Sequence, residues 1–73
     1  MNNHGIKPIV SDYTIKVKLK GTTDIVVKET FTGTPDEMSA RATDIYNKSF
    51  AHTDRYKLQA YEKGERRACL TIN

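Results

Sequence analysis

The sequence predicts an α+β fold, a two-layer β-β-α-β-β domain in which one helix packs on one face of an antiparallel sheet. Three observations predict it. "YTIKVKLKG" at residues 13–21 alternates apolar and basic side chains strictly, the period of an extended chain with one buried face. "GTPDE" at 33–37 carries a helix start, and the residues after it repeat apolar side chains at helical spacing. Beyond residue 54 two further alternating runs flank the turn "EKGE". A helix placed between two hairpins covers one sheet face and leaves the other in water.

A chain of 73 residues is expected to make a single domain, here 12–73, after an N-terminal arm over 1–11. A domain of this size buries only about 60% of its unfolded surface, so its core is thin. The arm contains Gly5 and Pro8 and reads as flexible, while Ile6, Ile9 and Val10 leave open whether it docks on the core or extends the first strand. "MNNHGIKPIV" resembles neither a secretory leader nor a membrane anchor, so no membrane partner is expected and the chain reads as cytoplasmic. A single cysteine, Cys69, excludes an internal disulfide and fits a reducing compartment.

The first strand is expected over 12–20, with Tyr13, Ile15, Val17 and Leu19 inward. "GTTD" turns the chain into "IVVKETF", where Ile25, Val27 and Phe31 read as inward and Val26, Lys28 and Thr30 as outward. Glu29 falls on the inward parity, so either the strand bulges there or the carboxylate lies at the edge of the core. Thr34 is placed as N-cap, with Pro35 at the first helical position and Glu37 completing a capping box. Met38, Ala42, Ile45, Tyr46, Ser49 and Phe50 then form the stripe that faces the sheet. After "AHTD", Tyr56, Leu58 and Ala60 alternate with Lys57, Gln59 and Tyr61, and a last strand sets Ala68, Leu70 and Ile72 against Arg67, Cys69 and Thr71.

Followed through all four strands, the outward parity gathers Lys16, Lys18, Lys20, Lys28, Lys57, Gln59, Tyr61, Lys63 and Arg67 on one face, together with Thr14, Val26 and Cys69. Seven of the twelve Lys and Arg residues are in that set and no acid is; Asp12, Asp24, Asp54, Glu62 and Glu65 read as turn or strand-end residues. Lysines also keep sheet edges from aggregating, but mixed signs would serve solubility as well, and like charges on adjacent strands repel. An acid-free face therefore points to an anionic partner.

Catalysis is not expected. His4 and His52 lack partners at metal-ligand spacing, Cys69 has no histidine positioned as its base, and the carboxylates are accounted for by capping and solvation. No glycine-rich phosphate loop occurs, and neither a metal nor another cofactor is called for.

The opening strand "YTIKVKL", the helix "TPDEMSARATDIYNKSF" and the terminal hairpin "YKLQAYEKGERRACLTI" together resemble small phage-encoded inhibitors of host machinery, of the anti-CRISPR and RNA-polymerase-inhibitor type. The resemblance is one of pattern over most of the chain and transfers no individual residue. It implies a non-catalytic protein that binds a host protein or nucleoprotein complex, for example a CRISPR effector, in the host cytoplasm, with the basic sheet face as the expected contact. Direct nucleic-acid binding is the alternative, with lysines on phosphates and Tyr61 stacked on a base. A third reading is structural, with "RRACLTI" as an exposed edge that pairs with a second copy, so monomer and homodimer both stand.

Overall fold

Strict alternation produces the expected opening hairpin. In the computed structural model, which describes residues 9–73, β1 (Ser11–Leu19) runs antiparallel to β2 (Ile25–Gly33). Gly21, at φ 80, takes the left-handed turn conformation, and the Thr22 N–H donates to the Leu19 carbonyl at 3.2 Å. Helix α1 (Pro35–Ser49) follows, then β3 (Tyr56–Glu62) and β4 (Leu70–Ile72). The sheet order is β2-β1-β3-β4, all pairs antiparallel, so β1 and β3 are central and β2 and β4 are edges. The fold is the expected four-stranded sheet with one helix on it.

The helix starts where its cap chemistry dictates. The Glu37 N–H donates to Thr34 Oγ1 at 3.1 Å and the Thr34 N–H donates to Glu37 Oε1 at 2.9 Å, so two otherwise orphaned amides are satisfied. Such a cap is worth about 1 kcal/mol. Gly33 precedes it for want of space: an added Cβ would lie 2.7 Å from the Phe31 ring and 2.9 Å from Glu37 Oε1. From this start α1 lays Met38, Ala42 and Tyr46 on Tyr13, Ile15, Val17, Leu58 and Ala60, and Ile15, Val17 and Leu58 lose all contact with solvent. Phe50 closes the end of the core edge-on to Tyr56, with ring centroids 5.0 Å apart. Ser49, expected in the stripe, is exposed.

The register corrects the expected placing of Ile25 and of the last strand, and decides between the two readings of Glu29. Ile25 does not face the core: a bulge between Val17 and Lys18 skips Val26, pairs Ile25 with Lys18, and leaves Ile25 and Val26 44% and 49% exposed. The bulge is thus not at Glu29, which stays on the helix side at the core's edge. The last strand begins at Leu70 rather than at Arg67, because pairing Ala60 with Leu70 and Leu58 with Ile72 leaves residues 63–69 to the connection. Only the end of "RRACLTI" is therefore strand, and the long free edge is β2. Asp12 is a strand residue, paired with Thr32 on the open face. Of the arm, residues 1–8 lie outside the described residues, Ile9 and Val10 are exposed, and Ser11 already belongs to β1.

Candidate functional site

Directly opposed residues of a sheet share a face, so the register assembles the open side row by row. One row reads Lys28, Lys16, Gln59 and Thr71 across the four strands, and the next reads Ile25, Lys18 and Lys57. Lys16 therefore faces Lys28, and Lys18 faces Lys57. Side chains in such positions stand roughly 5 Å apart at Cβ, and like charges there are destabilising. Among the described residues, none of these four lysines forms an ion pair.

The ion pairs are on the other side of the molecule. Arg41 of α1 donates through Nε to Glu29 Oε2 at 2.7 Å and through Nη2 to Glu29 Oε1 at 2.9 Å, while Asp44 pairs with Lys48 at 3.2 Å. The guanidinium hydrogen bonds hold the Glu29 carboxyl below its ordinary value of 4.5, and the carboxylate raises Arg41 in turn. Acids are thus matched to cations on the helix, whereas four cations on the sheet stand unmatched.

Toward the other end of the sheet the face changes character. Lys16 Nζ sits 5.2 Å from the centre of the Tyr61 ring, and the Tyr61 hydroxyl donates to Gln59 Oε1 at 3.1 Å. One side of the ring thus carries a cation while its hydroxyl is tied to Gln59. Beyond it Thr32 Oγ1 donates to Asp12 Oδ1 at 2.7 Å, and an open cleft of about 870 Å³ runs from Lys16 and Lys28 to Asp12, Glu62, Glu65, Lys63 and Arg66. The expectation of an acid-free face is corrected here: Asp12, expected at the strand's end, pairs with Thr32 inside the β1-β2 ladder and stands on the open side.

Of the nine residues expected at the site, Lys16, Lys18, Lys28, Lys57, Gln59 and Tyr61 share the face on three adjacent strands. Lys20 lies past the end of β1, where its N–H donates to the Arg55 carbonyl at 2.7 Å. Lys63 lies in the turn after β3, its N–H bonded to the Asp12 carbonyl at 2.8 Å. Arg67 is corrected from strand to an exposed bend in the β3-β4 connection. Its neighbour Arg66 borders the cleft instead, a placement no alternation pattern encodes. Cys69 bonds through its S–H to the Ala60 carbonyl at 3.4 Å, away from Lys18.

Among the described residues no three His, Cys, Asp or Glu side chains cluster as metal ligands, and no helix is long and apolar enough to cross a membrane. Compared with protein-family models, with curated proteins and with solved structures, the chain shows no match.

Proposed function

We propose that this chain is a small non-catalytic binding protein, an inhibitor or adaptor that docks the lysine-rich half of its open sheet face on an anionic surface of a host protein or nucleoprotein complex. One observation carries the reading: Lys16 opposes Lys28 and Lys18 opposes Lys57, with no carboxylate paired to any of them among the described residues. Such pairing costs stability in the free protein and is offset when an anionic partner covers it. The phage-inhibitor resemblance of the hairpin-helix-hairpin pattern supplies the class of partner, and the host cytoplasm is the proposed setting.

Direct single-strand nucleic-acid binding is the weaker reading. Base stacking on this face would rest on Tyr61 alone, and one side of its ring already carries Lys16. The separating experiment is affinity capture from host lysate with and without nuclease. The account expects a defined protein partner retained after digestion; loss of all captured material on digestion would assign the face to nucleic acid.

A further inference from the structure

The outer edge of β2 offers a second means of recognition. The Lys63 N–H donates to the Asp12 carbonyl and the Lys20 N–H to the Arg55 carbonyl, so even-numbered residues of β1 turn their backbone groups toward β3. Odd-numbered residues of β1 turn theirs toward β2 and pair with Val27, Glu29, Phe31 and Gly33. Lys28, Thr30 and Thr32 consequently direct their N–H and C=O groups away from the sheet, and no described residue pairs with them. A regular run of edge backbone without proline is a template for another strand.

We infer that this edge captures an extended segment of the protein partner as a fifth strand, and that the segment alternates acidic with apolar side chains. The inference rests on reading the open face as a protein-docking surface. An added strand must place alternate residues beside Lys28, Thr30 and Thr32, and in the Lys28 row, with Lys16 one strand further in, a carboxylate meets two unmatched cations while the threonines offer hydroxyls to its neighbours. Its other residues fall beside the half-buried Val27 and Phe31, which favour apolar neighbours, on either side of Glu29, whose carboxylate is already taken by Arg41, and Ile25 and Val26 expose further apolar surface at the strand's start. Antiparallel self-pairing about a two-fold axis sets Lys28 against Lys28 or Glu29 against Glu29 at two of its centres and Val27 against Val27 or Phe31 against Phe31 at two others, so a second copy is the competing occupant that the test must separate.

The test uses the full chain, isotope-labelled, and a blocked peptide of about six alternating glutamates and valines, the length of an average strand. Saturating peptide is expected to slow amide exchange at Lys28, Thr30 and Thr32, while a shuffled peptide of the same composition does not. Thr30→Pro removes one outward N–H, a change edge strands tolerate, and should weaken binding about tenfold, the worth of a hydrogen bond, whereas Thr30→Ala should bind normally. If Thr30→Pro fails to fold, the exchange pattern of the unaltered chain decides. Equal protection by the shuffled peptide, no protection at these amides, or protection that grows with protein concentration in the absence of peptide would overturn the inference. A host-protein complex that survives Thr30→Pro but is lost on reversing Lys16, Lys18 and Lys57 would refute the edge and leave the face intact.

Discussion

A carboxylate on the core-facing side of a strand needs a partner, and Glu29 finds one in Arg41 of the helix above it, through two hydrogen bonds of 2.7 and 2.9 Å. Because this pairing lowers the folded-state pKa of Glu29 below 4.5, its contribution to stability is present in full above that pH and is lost as pH falls through the folded value. Glu29→Gln is therefore expected to have a lower urea midpoint than the parent protein at pH 7, with the gap closing as pH falls below the lowered folded value of Glu29. A gap independent of pH would contradict this account. The sequence placed Glu29 on the inward parity and left two explanations open; Arg41, twelve residues away in the next element, decides between them. No local pattern could name it, since the contact depends on how α1 lies on the sheet.

Among the elements, alternation reveals which face a residue occupies but not which residue it meets. The inward set of β1 and β3 was legible for that reason, and Tyr13, Ile15, Val17, Leu58 and Ala60 are all buried. The capping box was legible because its chemistry is confined to four consecutive residues, Thr34 to Glu37. Register was not: a bulge at Val26 turns Ile25 outward, and the Ala60 to Leu70 pairing removes Arg67 from the sheet. The lysine pairs emerge only once register is known, and they carry a prediction. Lys28→Glu converts the cross-strand pair with Lys16 from repulsive to attractive, so it should stabilise the protein by about 0.5 kcal/mol while weakening capture of the partner. Urea denaturation and affinity capture read the two effects separately. A variant that is both less stable and fully able to bind would show that Lys28 serves the fold.

At the scale of the whole molecule, one side is internally matched in charge and half of the other is not. Arg41, Glu29, Asp44 and Lys48 satisfy one another around the helix, and Asp12, Glu62 and Glu65 stand with Lys63 and Arg66 at the far end of the cleft that Lys16 and Lys28 border. Lys16, Lys18, Lys28 and Lys57 are left as a compact cationic field beside an open strand edge. The modest net charge of +3 concealed this division, because the acids that balance the total stand elsewhere. A field of this kind should set both affinity and its salt dependence, as rim and surface charges do in steered associations. The most direct test reverses Lys16, Lys18 and Lys57 to glutamate together, checks the fold by circular dichroism, and measures capture of the nuclease-resistant host partner. The account predicts a folded protein that no longer captures it; a folded variant that captures the partner as well as the parent does would contradict the assignment of the face.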